Sequence, residues 1–205
     1  MQPFTTLRAP AVGLPLANVD TDQIIPARFL ARPRPEQVEA CFHDLRRDDG
    51  GRPRPGFPLD HPGAAGARIL VAGRNFGCGS SRESAVTTLI DNGFRAFVAP
   101  AFGDIFFNNC FQNGALPVRL SEPRIEALLA ALAARPGAEI AIDLAAGTLQ
   151  GPDGEVDRFE VEAFRRDCLL RGVDVIDLTR DHEAEIAAFE ARQARDLSWL
   201  DRLPG

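Results

Sequence analysis

The passage from residue 68 to residue 92 constrains the fold more than any other. An apolar run, Arg68-Ile69-Leu70-Val71-Ala72, reads as a buried strand, and residues 83–92 read as a helix. Between them lies Gly73-Arg74-Asn75-Phe76-Gly77-Cys78-Gly79-Ser80-Ser81-Arg82, whose glycines permit a tight turn and close approach of other atoms to the backbone. A strand that leaves through a loop into a helix is followed by a strand parallel to the first. The chain repeats the pattern: strands over 95–99 and 117–120, helices over 101–113 and 122–134. Phe102, Ile105, Phe106 and Cys110 share one face of the former helix, which Gly114 closes as a C-cap. The expectation is an α/β fold, a mixed or parallel sheet flanked by helices.

The remainder differs in character. Short strands are expected over 139–144, 148–150 and 159–161, with turns at Ala146-Gly147 and Pro152-Asp153-Gly154, then helices near 162–171 and 180–196. Residues 31–66 are rich in proline and glycine and carry one helical stretch, 36–45, so they read as a flexible excursion from the scaffold. At 205 residues with no internal repeat, the whole of 1–205 reads as one domain.

Composition narrows the chemistry. A net charge of −6 with no basic stripe speaks against nucleic acid as a partner. No apolar run is long enough to cross a bilayer, and Met1-Gln2-Pro3-Phe4 lacks the features of a secretory signal. Cys41, Cys78, Cys110 and Cys168 are far apart, which fits reduced thiols and a cytoplasmic location, not a disulfide framework or a self-contained metal site. His43, His61 and His182 have no metal-ligand spacing. All 23 basic residues are arginine, so Schiff-base chemistry and a P-loop lysine are excluded, and the absence of tyrosine removes a phenolic acid or base.

The glycine-rich loop has two readings. In one, Ser80 caps the following helix and Glu83 completes a capping box, because S-x-x-E has that spacing. In the other, free amides at the helix start, two serines and an arginine form a carboxylate site. Arg82 favours the second: an arginine there opposes the helix dipole, while its fork matches a carboxylate. A serine in such positive surroundings can have its proton affinity lowered and act as a base. Cys78 has no histidine near it in sequence and reads as a small packed residue. Gly77-Cys78-Gly79 opens a dinucleotide fingerprint whose third glycine is replaced by Arg82.

With Asn18-Val19-Asp20-Thr21-Asp22-Gln23-Ile24-Ile25-Pro26, the loop's Asn75-Phe76-Gly77-Cys78-Gly79-Ser80-Ser81-Arg82-Glu83, the block from Ala99 to Cys110, Asn113-Gly114-Ala115-Leu116-Pro117 and a last block from Ala163 to Gly172, the sequence resembles the small subunit of 3-isopropylmalate dehydratase, related to the swivelling C-terminal domain of aconitases. The resemblance covers nearly the whole chain. It implies a single swivelling domain with residues 31–66 as its substrate-recognition excursion. It implies that Ser80 is the catalytic base, that Ser81 and Arg82 bind a substrate carboxylate, and that Asp22 belongs to the same hydrogen-bond network. An Asx-type turn is the alternative for Asp22. It further implies no cofactor on this chain, and a [4Fe–4S] cluster on a large partner subunit, where an iron acts as Lewis acid. The reaction implied exchanges 2-isopropylmalate and 3-isopropylmalate by dehydration and rehydration in leucine biosynthesis.

Two departures stand out. Ser84 occupies a position where the family usually has histidine, with Thr87 replacing an aromatic residue three positions on. Ala31-Arg32-Pro33-Arg34-Pro35-Glu36 replaces a threonine-glycine-phenylalanine-glycine stretch. Arg32 and Arg34 there are either additional substrate-carboxylate contacts or solvated charges. The alternatives to the isopropylmalate reading are a related hydro-lyase for another malate-like hydroxydiacid and a non-catalytic anion- or nucleotide-binding module.

Overall fold

The computed structural model describes residues 1–48 and 50–197. These fall in two compact units, Met1–Gly172 and a second that begins at Val173. In the first, strand β1 (Thr6–Leu14) leads into a single helical turn, α1 (Thr21–Ile24), a 3-10 turn at Ala27–Phe29, and two short helices, α2 (Arg34–Glu39) and α3 (His43–Arg46). There follow β2 (Ile69–Ala72), α4 (Glu83–Asp91), β3 (Ala96–Ala99), α5 (Asp104–Gln112), β4 (Leu116–Arg119) and α6 (Glu122–Ala134). The unit ends with β5 (Glu139–Asp143), β6 (Thr148–Gln150), β7 (Val156–Arg158) and α7 (Ala163–Arg171). The second unit holds α8 (Val175–Arg180) and α9 (Glu183–Asp196).

The seven strands form one sheet in the order β4-β3-β2-β1-β5-β6-β7. The β4-to-β1 half is parallel and the β5-to-β7 half antiparallel, with β1 pairing both ways. This is the mixed α/β sheet expected from the sequence. Every residue of β2 and β3 is buried, as parallel strands covered on both faces require. Alternation splits them between two cores. Leu70, Ala72, Phe97 and Ala99 face one core with Val86 and Leu89 of α4 and Phe106 of α5. Ile69, Val71, Ala96 and Val98 face the other, with Ile125, Leu128 and Leu132 of α6.

Three expectations need correction. The helical stretch 36–45 is two helices, broken at Phe42, which has a left-handed φ of 53°. Phe42 is fully buried, its ring 5.6 Å from that of Phe57 and its N–H donating to the Ile24 carbonyl at 2.8 Å, and these contacts offset the unfavourable backbone angle. The strand expected at 159–161 lies at Val156–Arg158, because the turn closed by Gly151 N–H to Glu155 O (2.9 Å) returns the chain to β6 sooner. The helix expected over 180–196 begins at Glu183, after the separate α8 with its own Asp174–Asp177 capping box.

Candidate active site

Three distant stretches of sequence meet at the loop between β2 and α4, and backbone bonds join them. Asn18 N–H donates to Arg74 O (2.8 Å), Gly77 N–H to Val19 O (2.7 Å) and Thr21 N–H to Cys78 O (2.9 Å), so the loop runs beside residues 18–21 like a strand partner. On its other side Phe76 N–H donates to Ala101 O (3.1 Å) and Gly103 N–H to Phe76 O (2.9 Å). Glycine is required where the chain packs this closely. Gly77 has φ +71° and any Cβ would enter the Phe106 ring, while a Cβ on Gly103 would meet the Gly77 carbonyl. Phe76, fully buried and edge-on to Phe106 at 5.3 Å, wedges the loop onto the core.

Asp20 caps α1 in a reciprocal box: its carboxylate accepts from Gln23 N–H (2.7 Å), and its own N–H donates to Gln23 Oε1 (2.9 Å). Thr21, buried, donates its hydroxyl to the Ser80 carbonyl at 3.0 Å. These two anchors were missed in the sequence, although D-x-x-Q at 20–23 has the spacing of such a box.

The capping-box reading of Ser80 is not realised. The N-cap of α4 is Arg82, without a side-chain cap, and Glu83 instead accepts from Asn113 Nδ2 at 3.0 Å. Ser80 and Ser81 are exposed ahead of the helix, and the amides of Gly79, Ser80, Ser81 and Arg82 donate to no described residue. Such a run of free donors at a helix start favours an anion.

Arg82 is largely buried and pairs with Asp22. Its Nη1 donates both to the Asp22 carboxylate and to the Ile25 carbonyl (3.2 Å). Nη1 carries two hydrogens, so both are used, and Nε and Nη2 donate to no described residue. Asp22 also accepts from Ala27 N–H at 2.8 Å. The Arg82 hydrogen bond, then the Ala27 amide, hold the Asp22 carboxyl below the usual carboxylate range. Of the site residues read from the sequence, Asp22, Ser80, Ser81 and Arg82 therefore come together.

Arg32 and Arg34 do not join them. Arg32 pairs with Glu36 at 3.5 Å and lies over the Phe29 ring at 4.7 Å. Arg34 forms a fork with Asp91 (Nε–Oδ2 2.5 Å, Nη2–Oδ1 2.9 Å), at the opposite end of α4 from Arg82. At the departing position, the Ser84 carbonyl accepts from the Thr87 hydroxyl at 3.4 Å.

Desolvation, with the nearby Asp20 charge, pushes the Cys78 thiol up; burial drives Cys41 to about 12 against the opposing Arg46 charge, and burial alone drives Cys110 well above the normal range. Thiols so disposed are poor ligands, and among the described residues no group of three or more His, Cys, Asp or Glu could hold a metal ion. Among the described residues, the four separate cysteines do not fit an iron–sulfur cluster.

A family model described as the aconitase C-terminal domain matches residues 1–123, more than half of the chain, and a second, LeuD_N, matches 126–163. The chain is 50% identical over 200 residues to the 3-isopropylmalate dehydratase small subunit of Rhodospirillum centenum, covering 97% of this chain and 98% of the relative. The chain belongs to the family of 3-isopropylmalate dehydratase small subunits. Another member, from Parvibaculum lavamentivorans, is 45% identical over 98% of this chain and all of its own length. Among solved structures, a 3-isopropylmalate dehydratase from Methanocaldococcus jannaschii superposes with a TM-score of 0.65 at 26% identity, over 89% of this chain and 99% of that one. The stretches 18–26, 75–83 and 99–110, on which the sequence resemblance rests, all lie within the first matched region, and backbone bonds draw them together.

Proposed function

We propose that this chain is the small subunit of a 3-isopropylmalate dehydratase, interconverting 2-isopropylmalate and 3-isopropylmalate in leucine biosynthesis. In this reading it is the swivelling domain of the enzyme, with residues 31–66 as its recognition excursion, and works in the cytoplasm. The observation that carries the reading is the Ser80-Ser81-Arg82 corner. It offers an exposed hydroxyl, unpaired amides and an arginine already fixed by one nitrogen, all on a loop joined to the scaffold by backbone bonds. A large partner subunit carries the [4Fe–4S] cluster, which supplies a Lewis acid for the leaving hydroxyl.

The residues of this chain have separate tasks. Arg82, through its Nε and Nη2 edge, and Ser81 hold a substrate carboxylate. Ser80, with its hydroxyl proton given up to solvent, takes the proton from the carbon adjacent to the one that bears the departing hydroxyl, and on rehydration it delivers that proton to the carbon that lost the hydroxyl while water's oxygen adds to the other. Asp22 neutralises Arg82, so this chain alone gives Ser80 little positive field beyond the α4 N-terminus. Covering the corner with the partner and expelling its water strengthens every charge there. The isolated chain is therefore expected to be inactive.

The test is to co-express the chain with its large subunit, purify the pair anaerobically and assay a panel of hydroxydiacids. The expected result is isomerisation of 3-isopropylmalate by the pair and none by either chain alone. Preference for a smaller alkyl malate would move the assignment to a related hydro-lyase, a reading favoured by the changed residues 31–36. Absence of turnover on every acid would overturn the enzymatic reading.

A further inference from the structure

Helix α4 carries a charge against its dipole at each end. Arg82 stands at the N-cap and Asp91 in the last turn, each placed where a helix disfavours that sign. Both are answered by one stretch of chain. Asp22 pairs with Arg82, and Arg34, twelve residues later, grips Asp91 with a bidentate fork of 2.5 and 2.9 Å. From Arg82 to Asp91 the helix rises about 13 Å, so residues 22–34 span it from end to end. The apolar side of this stretch is fixed as well: Ile24, Ile25 and Phe29 share a core with Val86 and Leu89. Beside the Arg34 fork, Asn92 Nδ2 donates to the Val38 carbonyl at 3.1 Å.

We propose that Arg34 and Asp91 form a positioning latch that holds the recognition excursion in register with the carboxylate-binding corner, and that neither touches substrate. The paired ends make α4 a ruler. Asp22 sets one end at Arg82, Arg34 sets the other, and the excursion, anchored by Arg34 near its start, is thereby held at a fixed distance from Arg82. The latch rests on the reading of Ser80–Arg82 as the substrate site. An exposed ion pair contributes little to stability, so the latch should be visible in substrate binding before it is visible in unfolding.

The experiment uses the reconstituted two-subunit enzyme with 3-isopropylmalate, comparing Arg34→Ala, Asp91→Asn and the charge swap Arg34→Asp/Asp91→Arg. Each single substitution should raise KM by about twofold to fivefold, the range an ion pair of this exposure can supply, with kcat held near the parent value. The swap should recover at least half of the loss on a logarithmic scale. If Arg34 bound substrate directly, Asp91→Asn would free it and leave KM equal or lower, and the swap would not restore binding. Either result overturns the latch. Arg82→Lys serves as the control for the site itself. If it leaves kcat/KM intact, the reading of the corner fails. If it abolishes kcat/KM while both single latch variants match the parent enzyme, only the latch fails.

Discussion

The loop at 73–82 and the excursion at 31–66 are both irregular, and they are held in different ways. The loop is fixed by main-chain bonds to residues 18–21 and 101–103, with glycine where backbones touch. The excursion is tied to the scaffold by one main-chain bond, Phe42 N–H to Ile24 O, and otherwise relies on side chains: Arg28 to Asp44, Arg34 to Asp91, Arg46 to Asp60, and the buried rings of Phe42 and Phe57. Main-chain bonds do not depend on side-chain identity, so the reactive corner keeps its shape while its neighbours vary. Ion pairs depend wholly on identity, so the recognition segment can be rewritten without disturbing that corner.

Substitutions should separate the two regions. The largest effect is expected for Arg82→Lys in the two-subunit enzyme, which removes the fork and the Asp22 and Ile25 bonds. Losing a charge-assisted interaction of roughly 3 kcal/mol should lower kcat/KM by about 100-fold, read in steady-state assays. Next is Gly77→Ala, which drives a methyl into the Phe106 ring at a positive φ. It should destabilise by about 2–3 kcal/mol in denaturant titrations. Gly66→Ala in the excursion, where φ is +74° but nothing lies within 4 Å of the new methyl, should cost only about 1 kcal/mol. Equal losses at the two glycines would erase the distinction between a backbone-packed loop and an open one.

The smallest effect concerns an ion pair that ties the excursion to the preceding turn. Hydrogen bonds from Arg28, with help from His43, hold the Asp44 carboxyl at about 2 against an ordinary 3.8. The folded value is the lower one, so the pair stabilises fully above 3.8 and this contribution fades as pH falls toward 2. Arg28→Ala should lower the Tm slightly at neutral pH, by no more than an exposed pair supplies (under about 1 kcal/mol), and the difference should shrink as pH falls toward 2. A Tm difference that persists undiminished at pH 2 would show that Arg28 acts through packing on Phe29, not through its charge.

The same contrast explains what could be read before folding. The strand–loop–helix pattern at 68–92 is legible because hydrophobic period and glycine placement act locally, and so is the alternation that builds the parallel half of the sheet. The corner's serines and arginine are legible because their types match a carboxylate. The Asp22–Arg82 pair is not, since sixty residues separate the partners and only the register of 18–21 beside the loop joins them. Phe42 shows the opposite limit. Its local sequence favours a continuous helix, and tertiary burial overrides that preference with a left-handed residue. Arg34 reads equally well as a substrate ligand or a solvated charge, because nothing local reports that Asp91 lies within reach.

The most direct test of the account is the turnover of Ser80→Ala in the two-subunit enzyme. Ser80 makes its structural bond through its backbone carbonyl, which accepts from Thr21, so the substitution leaves the loop's anchors in place. Loss of a general base predicts a fall in kcat of about 10²–10⁴-fold with KM nearly constant. A variant that keeps full kcat would contradict the assignment of Ser80 as the base.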